Sequence, residues 1–319
     1  MARFKPVSSA QTLMVPIESP VKDCNVKVER QRRVFRKGDR FRCPKHNIFI
    51  SPSTFEYSDE SDNFLWKEKS DIELFKRIKK VKRESRMARD NSEDAVSWNV
   101  FRFLERNDLL EGFLSLITGL YHESSEVIYW SYSQKQNKVL PELNEARREF
   151  GEAIRRGSEP DIIIRTDKAL FFIEAKLTAG NETLPSDKNN SKKYESGGHN
   201  WFSKVFRSDY ETIAIIEKKY ELLRFWLLGT WMAKKQGLNF YLINLVLAER
   251  EKDIENIFKR YIRETKRRKF LRITWEDIYH YISNINSLID KDKILHYFKN
   301  KTIGYDRRGK LQRAFSIDS

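Results

Sequence analysis

The amino-acid sequence predicts an α/β fold, with a mixed central sheet flanked by helices and a small basic β-rich module ahead of it. Three observations carry this prediction. Helical and strand patterns alternate through the second half of the chain, as they do where strands are joined across a layered core. Two apolar runs, Ile162-Ile163-Ile164 and Ala169-Leu170-Phe171-Phe172-Ile173, are joined only through Asp167-Lys168 and read as a fully buried hairpin. Residues 26–57, by contrast, alternate apolar with basic positions, the period of strands exposed on one side.

Residues 1–25, broken by Pro6, Pro16 and Pro20, read as extended and partly disordered. Residues 26–70 form the basic module, and Lys37-Gly38-Asp39, between two alternating runs, predicts the turn of a β-hairpin. Residues 71–319 make the main domain and its C-terminal extension. A helix over 71–83 sets Ile72, Phe75, Ile78 and Val81 on one face and lysines on the other. Asp90-Asn91-Ser92-Glu93 opens a second helix, in which Val96, Val100, Phe103 and Leu104 recur at helical spacing, and 109–121 predicts a third. Residues 127–132 read as a strand from their β-branched and aromatic content, and the polar stretch 133–145 as a loop. Beyond the hairpin, 178–203 is rich in Gly, Asn, Ser and Lys and predicts a mobile loop. Then follow a long buried helix or helix pair over 209–235, a buried strand at 240–247, a helix at 253–265, a last strand at 271–275 and a helix at 276–288.

Lys and Arg total 61 against 46 Asp and Glu, a net charge of +15. Such a field favours a polyanionic partner, nucleic acid first, although excess lysine for solubility gives the same total. The charge is concentrated in 27–45 and 76–89. Arg33, Arg36 and Arg42 from the first stretch, with Lys79, Lys80, Arg83 and Arg86 from the second, are the candidate phosphate contacts. Docking of the second stretch on an acidic protein is the competing reading. No segment approaches the roughly 20 apolar residues that span a bilayer. Two cysteines, Cys24 and Cys43, cannot make a disulfide framework and fit a reducing compartment, so a cytoplasmic protein free of membranes is expected. Cys24 and Cys43-Pro44-Lys45-His46 offer three candidate zinc ligands, one short of a closed site and without a paired CxxC, and zinc stays an open alternative.

The chemistry concentrates at the open end of the hairpin. With Asp167 and Lys168 as the turn, Asp161 falls directly across from Glu174, and Lys176, two residues on, shares the face of Glu174. Facing carboxylates repel unless a cation lies between them, so the pair suits Mg²⁺ or Mn²⁺ bound through oxygen. Such an ion polarises a phosphodiester and activates water, and a lysine beside it steadies developing negative charge. The competing reading makes Asp161 a strand-initiating residue after Pro160, and Glu174 and Lys176 the polar ends of a buried strand.

Pro160-Asp161 followed by Glu174-Ala175-Lys176 resembles the signature of the PD-(D/E)XK nuclease superfamily, and the chain as a whole looks like uncharacterised bacterial restriction endonuclease-like proteins. The resemblance covers roughly residues 90–250. It implies a restriction-endonuclease-like core, a metal-dependent endonuclease acting on DNA, and a setting in restriction or defence. Asp161 and Glu174 would be metal ligands, Lys176 the electrostatic catalyst, and Glu93 a third acid and metal ligand from the preceding helix. Asp94 is the alternative to Glu93. Glu93 also has the spacing of a capping box with Asp90. Glu159 is a candidate outer ligand, Tyr220 and Arg224 share a helix face, and His199, Trp201 and Phe202 are candidate base or phosphate contacts in the loop. A DNA repair or recombination nuclease, and a non-catalytic nucleic-acid-binding scaffold, are the alternative functions. Cutting both strands of a duplex would suit a homodimer, which nothing in the sequence encodes.

Overall fold

A computed structural model describes residues 16–21, 23–31, 35–82, 85–154, 159–187, 191–306 and 309–317. The expectation for residues 1–15 and the candidates Arg33 and Arg83 lie outside the described residues. Among the described residues no helix is long and apolar enough to cross a membrane.

The N-terminal module is built from very short strands. β1 (Ile17–Glu18) and β2 (Lys27–Val28) form one antiparallel ribbon, and β3 (Arg42–Cys43), β4 (Ile48–Ile50) and β5 (Phe55–Tyr57) form a three-stranded antiparallel sheet. The chain does not reverse at Lys37-Gly38-Asp39. Gly38 is extended and a single 3₁₀ turn, Asp39–Phe41, follows it. The reversals come at residues 44–47, where Asn47 takes the left-handed backbone that asparagine tolerates (φ 53°), and at 51–54, where Thr54 N–H donates to Ser51 Oγ (3.0 Å). Alternation marks strand faces, and the turn chemistry decides where they fold back.

α1 (Lys69–Lys79) ends before Val81, so Ile72 and Val81 only flank the core while Leu74, Phe75 and Ile78 enter it. α2 (Glu93–Arg106) is capped by Ser92, whose Oγ accepts from Ala95 N–H at 3.2 Å. The box with Asp90 does not form, because the Asp90 carboxylate accepts from Thr302 Oγ1 and from Lys301 Nζ (3.4 Å) near the C-terminus. α3 (Leu110–Thr118), β6 (Ser125–Tyr129) and β7 (Tyr132–Ser133) follow, and Trp130 and Ser131, both at positive φ, turn β6 into β7. The expected loop 133–145 instead holds β8 (Lys138–Val139) and most of α4 (Pro141–Glu149). Pro141 sits in the first turn, where its missing N–H costs nothing, and only Leu143 and Ala146 supply an apolar stripe, too little for periodicity to reveal.

β9 (Ile162–Thr166) and β10 (Ala169–Ala175) form the hairpin. The stretch expected as a loop over 178–203 contains α5 (Ser191–Val205), interrupted where Gly198, His199 and Asn200 all take left-handed backbone. After a π-turn, Glu211–Ile216, comes α6 (Tyr220–Gln236), ended by Gly237 at φ 71°. β11 (Asn239–Val246), α7 (Ile254–Lys259), β12 (Arg268–Thr274) and α8 (Trp275–Asn284) complete the α/β part. β12 is not the last strand, since α9 (Lys291–Asn300) and the ribbon β13 (Thr302–Tyr305) and β14 (Leu311–Arg313) follow.

The fold is α/β, with a mixed seven-stranded sheet of order β12-β11-β10-β9-β6-β7-β8, in which β10–β11 and β11–β12 run parallel and the other pairs antiparallel. Alternation along β10 divides the interior. Phe171 and Ile173 join one core with residues of α2, α3, α8 and α9, while Leu170 and Phe172 join the other with residues of α4, α5, α6 and α7. Burying both faces is why β9, β10 and β11 are almost continuously apolar.

Candidate active site

Ile162 pairs with Ile173 and Ile163 with Phe172, the register that a two-residue Asp167-Lys168 link predicts, so the next position places Asp161 across from Glu174. The sheet anchors both strand ends. Trp130 N–H donates to the Asp161 carbonyl (3.0 Å) on one side, and Lys176 N–H to the Leu245 carbonyl (2.8 Å) on the other. Ala175 N–H donates to Asp161 Oδ2 at 2.9 Å, fixing the aspartate at the mouth of the hairpin. By alternation from Ile163 and Phe172, Asp161, Glu174 and Lys176 all project to the α6 face.

On that face the Lys176 ammonium donates to Glu174 and, at 3.1 Å, to Glu221 Oε2 from the first turn of α6. A second ion pair lies beside Asp161. Lys82 Nζ is 3.0 Å from Asp94 Oδ1 and 4.2 Å above the Trp130 ring. The charges do not balance. Burial pushes the Asp161 carboxyl up to about 7, against the attraction of Lys176 and Lys82 and with the repulsion of Asp94. Burial also drives Glu174 well above the usual carboxylate range, with Lys176 opposing and Asp161 and Glu221 adding to it. Lys176 is held protonated: burial alone would lower it, and Glu174, Glu221 and Asp161 outweigh that.

Glu93 reaches the same end of the sheet by another route. Its Oε1 accepts from three consecutive backbone groups, Leu177 N–H (2.8 Å), Thr178 N–H (3.2 Å) and Ala179 N–H (3.3 Å). This ties the start of α2 to the chain leaving Lys176. Glu93 and Asp94 line a cleft together with Arg86, Arg89 and Thr178.

The other residues singled out from sequence are placed as follows. Arg36, Arg42, Lys79, Lys80 and Arg86 are exposed; Arg42 pairs with Asp39 (2.9 Å) and Lys79 with Glu60. Glu159 is half-buried within electrostatic reach of Arg147. Tyr220 and Arg224 do share a face, 5.0 Å apart, but Arg224 is bound in bidentate fashion to Glu152 (2.8 Å twice) and Tyr220 to the Tyr194 hydroxyl (2.9 Å). His199 is exposed in the left-handed kink. Trp201 Nε1 donates to Thr230 (3.0 Å) and its half-buried ring lines a pocket with Lys204, Arg267 and Arg268, whereas Phe202 is buried against Phe206.

Sequence reasoning missed Glu221 and Lys82. Glu221 lies inside the helix expected over 209–235 with nothing to set it apart, and Lys82 is one of many cations in a basic run. No protein-family model, no curated protein and no solved structure matches this chain.

Proposed function

We propose that the protein is a metal-dependent endonuclease of the PD-(D/E)XK type with a restriction-endonuclease-like core, hydrolysing phosphodiester bonds of DNA. The observation that carries this reading is the pair Asp161 and Glu174 across a hairpin mouth, both raised chiefly by burial, beside an ammonium held protonated. The donor set is carboxylate oxygen, which suits Mg²⁺ or Mn²⁺ and not a thiolate-seeking ion. Among the described residues no three acids bring their oxygens within 4.8 Å of one another, so the proposed donor set is the Asp161–Glu174 pair and not an acidic triad. Bound there, the ion would polarise the phosphodiester and activate water.

The chain's own residues have distinct tasks in this reading. Asp161 and Glu174 hold the ion, and Lys176, oriented by Glu174 and Glu221, supplies a fixed positive charge where negative charge develops. Glu93 organises the backbone just after Lys176, with a direct metal role as the further assignment. Arg86 in the cleft, with exposed Arg36, Arg42, Lys79 and Lys80, supplies phosphate contacts. Restriction or defence is the setting we attach to it, by analogy of fold alone.

The test is cleavage of supercoiled plasmid, linear duplex and single-stranded DNA with Mg²⁺, Mn²⁺ or EDTA, by the unaltered protein and by Asp161→Ala and Lys176→Ala. Metal-dependent cleavage lost in both variants supports the reading. Salt-sensitive DNA binding without cleavage under any metal would leave a scaffold, and absence of both would point to an acidic protein partner.

A further inference from the structure

The N-terminal module carries a second, chemically different cluster. Cys24 lies just before β2, Cys43 ends β3, and His46 sits in the turn between β3 and β4. Nineteen residues separate the cysteines, yet their sulfurs are 3.9 Å apart, and Cys43 Sγ is 3.6 Å from His46 Nδ1. All three ligand atoms lie within 4.8 Å of one another, the one such group among the described residues. These separations have a meaning. Around a tetrahedral zinc with Zn–S near 2.3 Å and Zn–N near 2.05 Å, the edges of the tetrahedron are about 3.8 Å for S···S and about 3.6 Å for S···N. Two of the three separations are thus those that one ion would set.

The surroundings agree. The turn that carries His46 back beside the Cys43 sulfur is closed by Asn47 N–H donating to the Cys43 carbonyl (2.9 Å), which holds the imidazole against the thiol. Both cysteines are buried and free, whereas His46 is exposed, so a fourth position is open to solvent. The module's own core is small: Cys24, Val28, Cys43, Ile48, Ile50 and Phe55, on strands two or three residues long. Backbone bonds from Asp90 N–H to the Phe55 carbonyl (3.0 Å) and from Tyr305 N–H to the Ser53 carbonyl (2.9 Å) tie its three-stranded sheet to the rest of the chain, and a cross-link between its two ribbons would add to that.

We propose that Cys24, Cys43 and His46 form a structural zinc site that fastens the β1–β2 ribbon to the β3–β4–β5 sheet. Two sulfurs and one imidazole are a donor set for zinc and a poor one for Mg²⁺, so this site is distinct from the carboxylate centre. It places a metal 1 residue from exposed Arg42 and stabilises the surface that presents it.

The experiment uses the full chain purified without chelator. Elemental analysis should find about one zinc per chain, and Co²⁺ in place of zinc should give thiolate-to-cobalt charge-transfer and intense tetrahedral d–d bands. Cys24→Ser and Cys43→Ser should lose the zinc and weaken the charge transfer, while His46→Ala should keep charge transfer and alter the d–d bands. Should the serine variants fail to fold, the titration of unaltered, metal-stripped protein with Co²⁺ and its displacement by zinc still decides the matter. Reduced protein that takes up neither ion, or a Cys24–Cys43 disulfide in protein purified under reducing conditions, overturns the proposal.

Discussion

Two buried ionic centres lie on the α6 side of the sheet, about one helical turn apart, and they are balanced in opposite ways. At the first, Glu152 meets the Arg224 guanidinium through two parallel hydrogen bonds and accepts a third from the Tyr194 hydroxyl at 3.2 Å. At the second, Asp161, Glu174, Glu221 and Asp94 face, among the described residues, the ammonium groups of Lys176 and Lys82. The first centre is closed, as a buried structural pair has to be. The second keeps four acids against two ammonium groups among the described residues, with Asp161 and Glu174 raised chiefly by burial, and an incoming cation would neutralise that excess.

The contrast is sharpest in what substitution does. Arg224→Ala removes the bidentate partner of the buried Glu152 carboxylate and should cost about 3–5 kcal/mol in denaturant unfolding. An unchanged unfolding midpoint would erase the distinction between the two centres. Glu174→Gln and Asp161→Asn, by contrast, remove repulsion: the metal-free proteins should be as stable as the unaltered chain or more so, while metal-dependent cleavage falls by about 10²–10³-fold. Loss of stability equal to that of Arg224→Ala would make the second centre structural too.

The pH dependence reads the same imbalance. The folded Asp161 pKa, about 7, lies above its ordinary value of 3.8, so the folded state holds a proton that the unfolded chain has released. The sign follows: this group's stabilisation is present below pH about 4 and is lost as pH rises towards 7. The thermal midpoint of metal-free protein should therefore fall across that window by a few degrees more than that of Asp161→Asn, roughly 2–4 °C. Saturating Mg²⁺ should flatten the difference by favouring the charged carboxylate. A pH slope identical in the variant would remove Asp161 from the account.

Glu221 gives the smallest effect. It touches Lys176 and acts by positioning it, so Glu221→Gln should lower cleavage by about tenfold or less and move the alkaline limb of the pH profile downward, as the lysine loses one of the acids that hold its proton. A lower rate with an unmoved profile would reduce Glu221 to a packing residue.

Much of the fold was legible in the sequence. The buried strands β9, β10 and β11 announce themselves because both faces are covered, and α2 and α6 because long apolar stripes repeat at helical spacing. α4 was not legible, with two apolar positions on its stripe, nor was α5, whose glycines and asparagines resemble a loop until tertiary contacts fill them in: Tyr194 packs against Tyr210 and Trp201 bonds Thr230. In the basic module, alternation identified strand content and Gly38 suggested the wrong turn, because a glycine permits reversal without requiring it.

At the candidate site the division is equally physical. The sequence by itself determined that Asp161 faces Glu174 and that Lys176 joins them, because hairpin register and side-chain alternation are local properties of a chain with a two-residue link. Only the tertiary structure decided which distant groups arrive: Glu221 from α6 onto Lys176, Lys82 onto Asp94 beside Asp161, Glu93 onto the backbone after Lys176, and Cys24 onto Cys43. Those encounters depend on how separate elements pack, and no periodicity within one element encodes the distance to another.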